Sequence, residues 1–174
     1  DTKTVRSIFL RSIGQISNVG DPYTLQKAEE SFKLYPSDGQ FFELYRIFTY
    51  GQQNIVQAKA FYKEATELYG QKKFSEAAAT FVKASDLDAL DLIYALNAGL
   101  AFYEAKDFEN AIRYLKVTDT SHKDTLKEKA LRYLALSYYA SGQQLQACAQ
   151  FLRLKDRYPK RMYQQEFQKY CSSK

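Results

Sequence analysis

The sequence predicts an all-α chain, built as an array of antiparallel helical hairpins with extra N-terminal helices and a C-terminal capping helix. Two observations carry that prediction. The three prolines (Pro22, Pro36, Pro159) punctuate long stretches rich in Ala, Leu, Lys, Glu and Gln. Proline lacks an N–H and clashes with the preceding turn, so such spacing leaves room for long uninterrupted helices. In addition, three segments align when anchored on Ala77, Ala111 and Ala147: KKFSEAAATFVKA, AKDFENAIRYLKV and SGQQLQACAQFLRL. The anchors lie 34 residues apart (77 to 111) and then 36 (111 to 147), an interval that fits one helical hairpin per unit.

Taken in order, residues 3–18 have helical apolar spacing at Val5, Ile8, Phe9, Ile13 and Ile16. Asp21-Pro22 reads as an N-cap and a first-turn proline opening a helix to about Tyr35. Ala28 and Phe32 repeat the anchor-plus-four spacing, so residues 3–35 suggest a degenerate unit within an N-terminal region of residues 1–52. Pro36-Ser37-Asp38-Gly39 breaks the chain, and FFELYRIFTY begins another helix that either continues through Gly51 or is interrupted there.

Residues 53–159 hold the three hairpins, at about 56–88, 89–122 and 123–159. Twelve residues before each anchor stands a small residue (Ala65, Gly99, Ala135), which lets two helices approach closely. Nine before stands a bulky one (Leu68, Phe102, Tyr138), and four after stand Phe81, Leu115 and Phe151. Three before, at the start of each second helix, come Phe74, Phe108 and the exception Gln144. Residues 160–174 form an amphipathic last helix and basic tail, with Met162, Phe167, Tyr170 and Cys171 available to cover the final hairpin.

These positions in register resemble three consecutive tetratricopeptide repeats over about residues 56–159, with Pro159 closing the third. The first two units depart from the pattern at the turn, where Lys72 and Lys106 stand in place of Gly142. In that family, hairpins stack into a right-handed superhelical array (a TPR-like α-solenoid), and first helices of successive hairpins line a concave groove that holds protein or peptide ligands. Carried over, the resemblance implies partner-binding positions Lys59, Tyr62 and Thr66, then Leu96, Asn97 and Leu100, then Lys129, Arg132, Tyr133 and Leu136. Tyr69, Tyr103 and Tyr139 recur eight residues before each anchor. Tyrosine offers apolar area with a hydroxyl, and arginine a carboxylate fork. Only Asn97 and Lys129 match the five-residue clamp that grips acidic chaperone tails, so that ligand is disfavoured. The FLRLKDRYP ending resembles bacterial cell-envelope repeat proteins.

Catalysis finds little support. His122 is the single histidine and sits in a predicted turn, where no partner converges on it. Cys148 follows an anchor alanine and reads as a small core residue, with no second histidine to activate it. The carboxylates of Asp86, Asp88 and Asp91 read as helix caps rather than a calcium loop. No phosphate loop or paired-cysteine metal pattern is present, and no cofactor or metal is expected. The net charge of +5 resides in the C-terminal segment, where Arg153, Lys155, Arg157, Lys160, Arg161, Lys169 and Lys174 oppose only Asp156 and Glu166. A uniformly basic nucleic-acid surface is therefore not expected. No apolar run reaches membrane-spanning length. The chain starts at Asp1 and not at Met, which reads as a processed form or an excised piece whose address lies outside it.

The function expected is a scaffold or adaptor holding a partner protein or peptide, with a regulatory or substrate-presenting arm of a larger enzyme and a self-association module as alternatives. No small-molecule substrate is expected, and the compartment, cytoplasmic or cell-envelope, is left open.

Overall fold

The computed structural model describes residues 51–121 and 123–171, together with Glu30, Gly39 and Arg46. The helices expected within residues 1–50, and the turn position of His122, lie outside the described residues. The chain divides between Val56 and Gln57 into two units.

Seven helices follow one another among the described residues: α1 (Gln52–Gly70), α2 (Phe74–Leu87), α3 (Leu92–Glu104), α4 (Phe108–Thr118), α5 (Asp124–Ala140), α6 (Gln144–Arg157) and α7 (Arg161–Cys171). Odd-numbered helices are the first members of hairpins, and α7 is a first helix with no second among the described residues. The three residues expected to open second helices, Phe74, Phe108 and Gln144, are the opening residues of α2, α4 and α6.

The three hairpin turns are built alike. In the first, the amides of Lys72 and Lys73 donate to the carbonyls of Tyr69 and Leu68 at 2.9 and 3.0 Å. Lys106 and Asp107 do the same to Tyr103 and Phe102 at 3.0 and 2.9 Å, and Gly142 and Gln143 to Tyr139 and Tyr138 at 3.1 and 2.8 Å. This closure satisfies helix-end carbonyls but needs a left-handed residue. Gly142 supplies it at φ 78°, whereas Lys72 and Lys106 are held at 61° and 62°. The departure from glycine in the first two turns thus leaves the turn shape intact and adds backbone strain, because a Cβ crowds the following carbonyl there.

The helix starts are capped unevenly. The Asp91 carboxylate accepts from the Ile93 amide at 3.4 Å, opening α3. Asp107 accepts from the Asn110 amide at 3.2 Å and from its side chain at 2.8 Å, opening α4. Lys73 and Gln143, at the same place before α2 and α6, make no such side-chain bond.

The core runs between the hairpins. Ala65, Ala77, Ala78 and Phe81 close the first hairpin and meet Ala98 and Ala101 of α3. A larger cluster joins Leu96 and Leu100 of α3, Ala111, Ile112 and Leu115 of α4, Leu134, Ala135 and Tyr138 of α5, and Ala147 and Phe151 of α6. At Gly99, α3 and α4 approach closely: a Cβ there would lie 2.7 Å from Leu115 Cγ and 3.3 Å from its backbone N. A methyl group cannot be accommodated without moving Leu115.

Cys148 is not the core residue expected from the sequence. It is half-buried and joined in a disulfide to Cys171, across 23 residues, with the two Cα atoms 5.4 Å apart. Phe167, Tyr170 and Cys171 do pack on the core of the last hairpin, whereas Met162 stays 42% exposed.

Candidate functional site

The tyrosines of the first helices follow from helix geometry. Leu68, Phe102 and Tyr138 face the hairpin core, and the next residue is rotated by one helical step toward the neighbouring first helix. Tyr69 packs edge-on to Phe74 at 5.1 Å. Tyr103 meets Phe108 at 5.9 Å and, on α5, Tyr133 at 5.3 Å. In the third hairpin Gln144 occupies the place of the phenylalanine. Tyr139 there turns to Tyr170 of α7 at 4.6 Å, and the Gln144 side chain donates to the Tyr170 carbonyl. Burial raises the Tyr69 and Tyr103 pKa, and the Glu104 carboxylate raises both further. Their hydroxyls therefore stay protonated donors across the physiological range, and the hydroxyls of Tyr69, Tyr103 and Tyr139 hydrogen-bond to none of the described residues.

The remaining positions suggested by the sequence divide into free and engaged. Lys59 and Lys129 are exposed. Tyr62 is half-buried between Phe81 and Tyr94, at 5.6 and 5.4 Å. Asn97 donates to the Ile93 carbonyl of its own helix at 2.8 Å. Leu100 is 5% exposed and belongs to the core cluster. Arg132, read as a fork for a ligand carboxylate, instead holds Glu166 of α7 through Nε at 2.9 Å and Nη2 at 2.6 Å. That bond keeps the guanidinium pKa above its usual value. Tyr133 stays half-buried beside Tyr103.

Two members of this face were missed by sequence reasoning. Glu166 and Tyr170 lie 34 residues beyond Arg132 and Leu136, so extending the repeat interval into α7 would have found both.

The same interval organises the basic C-terminal segment. Arg153 pairs with Asp119 at 3.0 Å and Arg157 with Asp124 at 2.8 Å, while Lys160 pairs with Glu128. Tyr163 also donates to Glu128, and the Tyr158 hydroxyl approaches the Asp124 carbonyl at 3.3 Å. These partners stand 32 to 35 residues apart, one unit along the array. The hydrogen bonds from Arg157 and from Lys160 hold the Asp124 and Glu128 carboxyl pKa values below their usual range. Much of the positive charge concentrated after residue 152 therefore serves contacts within the fold.

Residues 129–161, from the second turn of α5 to the start of α7, match the family model of the tetratricopeptide repeat. The third hairpin is a tetratricopeptide repeat. No curated protein matches the chain in sequence. In this repeat, Ala135 is the small contact residue, Tyr138 the bulky one, Ala147 the anchor and Pro159 the close, all within the matched stretch. Tyr139 also falls in it, beside the groups through which α5 grips α7. Among the described residues no helix is long and apolar enough to cross a membrane, and no group of three His, Cys, Asp or Glu is placed to hold a metal ion.

Proposed function

We propose that the chain is a protein-interaction scaffold, with the first two hairpins built on the same unit as the third and the first helices together forming a groove for a segment of a partner. The observation that carries this reading is the recurrence of Tyr69, Tyr103 and Tyr139 at one position of three successive hairpins, with hydroxyls that no described residue engages. Exposed Lys59 and Lys129 extend that face toward the starts of the first helices. Tyr62, Asn97, Leu100 and Arg132, engaged in packing or pairing, act as support for it. Tyrosine anchors of this kind give contact area at low entropic cost.

The disulfide supports an oxidising compartment, such as a cell envelope, because structural disulfides form and persist there and are rare in reducing cytosol. Thiol alkylation of protein taken directly from cells checks this: both cysteines stay protected in an oxidising compartment and both are modified in a reducing one.

Site-specific photocrosslinking tests the face. A photoreactive side chain at Lys59 or Lys129 is expected to capture a partner that the same group at Leu145, 86% exposed on α6, does not. Capture from Leu145 alone contradicts the reading.

A further inference from the structure

The tyrosine face carries charges of both signs, on different helices. Glu104 is the last residue of α3, next to Tyr103, and it is exposed. After burial, its carboxylate is what most raises the pKa of both Tyr69 and Tyr103, so it lies within electrostatic reach of both hydroxyls. The residues that follow Tyr69 and Tyr139 in the same way are Gly70 and Ala140, so neither neighbouring first helix places a charge at that register. Lys169 of α7 is the opposite pole. It is exposed, and its Nζ lies 4.7 Å from the centre of the Tyr170 ring, which itself meets Tyr139 at 4.6 Å. The Tyr170 hydroxyl, and more weakly Tyr139, raises the Lys169 pKa, so the ammonium stays charged. On the intervening first helix α5, Arg132 is already paired with Glu166 at 2.6 Å. No ion pair engages Glu104 or Lys169 among the described residues.

We propose that the segment held by this face carries charges of both signs, a basic side chain seated against Glu104 and an acidic one against Lys169. The proposal rests on the groove reading above and names the chemistry of its ligand. A ligand lysine or arginine finds at Glu104 a carboxylate that no cation of the chain holds. The rings of Tyr69 and Tyr103 stand beside it, and aromatic faces attract cations as well. A ligand carboxylate finds at Lys169 an ammonium with donors to spare, and the unengaged hydroxyl of Tyr139 close by. The two poles also reject. A uniformly acidic segment meets like charge at Glu104, and a uniformly basic one meets it at Lys169. Because the poles stand on α3 and α7, they fix the direction in which a segment crosses the first helices. Both groups are exposed, so each contributes modestly and is weakened by salt, and their effect falls on selection and orientation more than on affinity.

Selection of a random peptide library, displayed on phage, against the full chain tests this, with Glu104→Lys and Lys169→Glu as parallel targets. Both positions are exposed, so the circular dichroism of the two variants is expected to match that of the unaltered chain. Peptides enriched on the unaltered chain are expected to carry one basic and one acidic position at a fixed spacing. Glu104→Lys is expected to exchange the basic position for an acidic one, and Lys169→Glu the acidic position for a basic one. In fluorescence anisotropy with one enriched peptide at low salt, each reversal is expected to weaken binding about two- to tenfold. The matching reversal in the peptide is expected to restore it, while Leu145→Ala on α6 leaves binding unaltered. Enriched peptides without paired charges, or with charges that do not follow the reversals, overturn the proposal. If such peptides are still lost with Tyr139→Ala, only the charge pattern fails and the groove reading stands. Failure to enrich any peptide, or enriched peptides indifferent to Tyr139→Ala and to both reversals, overturns both.

Discussion

The junction between the second and third hairpins and the junction between the third hairpin and α7 are held by different physics. At the first, Leu96, Leu100, Ala111, Leu115, Leu134 and Ala135 form a buried apolar cluster around the tight approach at Gly99. At the second, α7 buries only Tyr163 of its own residues. Its apolar contribution, with Tyr170 stacked on Phe151 at 5.1 Å, is supplemented by the Cys148–Cys171 disulfide and by charge pairs one unit apart. Apolar burial holds the first junction, whereas the second, with less buried area, is joined as well by covalent and electrostatic attachment.

Four kinds of change probe that difference, beginning with the largest effect. Phe151 is fully buried and touches both junctions, so Phe151→Ala is expected to cost about 3–5 kcal/mol in urea unfolding. Loss confined to α7, with the rest of the array keeping its midpoint, would show that the two junctions are not coupled through it. Reducing the disulfide, or replacing Cys148 by Ser, is expected to cost about 3 kcal/mol for a loop of this length. The loss should appear in hydrogen exchange as opening of α7 before α3 and α4. Gly99→Ala acts inside the second hairpin, away from α7, and is expected to cost about 1–3 kcal/mol, since its Cβ would press on Leu115. Lys72→Gly and Lys106→Gly are expected to stabilise by about 0.5–1 kcal/mol each, the relief of a left-handed lysine being partly offset by glycine's entropy in the unfolded chain.

Acid separates the junctions further. Glu128, held by Lys160 and Tyr163 at the α7 side, and Asp124, which joins α5 to Arg157 of α6, have folded-state pKa values below their unfolded ones, so the unfolded chain binds protons first as pH falls. The stability they contribute is complete above their unfolded pKa values, about 4, and is lost as pH drops through the folded ones. Loosening of α7 below about pH 4, ahead of α3 and α4 and enhanced by salt, is the expected result by hydrogen exchange. Simultaneous loss of both junctions would contradict it.

Much of the hairpin architecture was legible because small and bulky residues must recur in register wherever helices stack: Ala65, Gly99 and Ala135 are all buried at contacts. The tyrosine positions were legible for the same reason. The fate of Arg132 was not, since a guanidinium reads alike whether its carboxylate comes from a ligand or from Glu166. The disulfide was not legible either. Its cysteines lie 23 residues apart on different helices, and only the return of α7 against α6 brings them together. Leu100 was misleading because an apolar residue at a face position is indistinguishable in sequence from one turned into the core.

The central claim, that the first-helix tyrosines form the ligand-holding face, is tested most directly by NMR of tyrosine-labelled protein titrated with a captured partner segment. Saturable shifts are expected in Tyr69, Tyr103, Tyr133, Tyr139 and Tyr170, with Tyr114 on α4 and Tyr158 at the end of α6 unmoved. Shifts centred on Tyr114 and Tyr158, with the first-helix tyrosines unchanged, would contradict it.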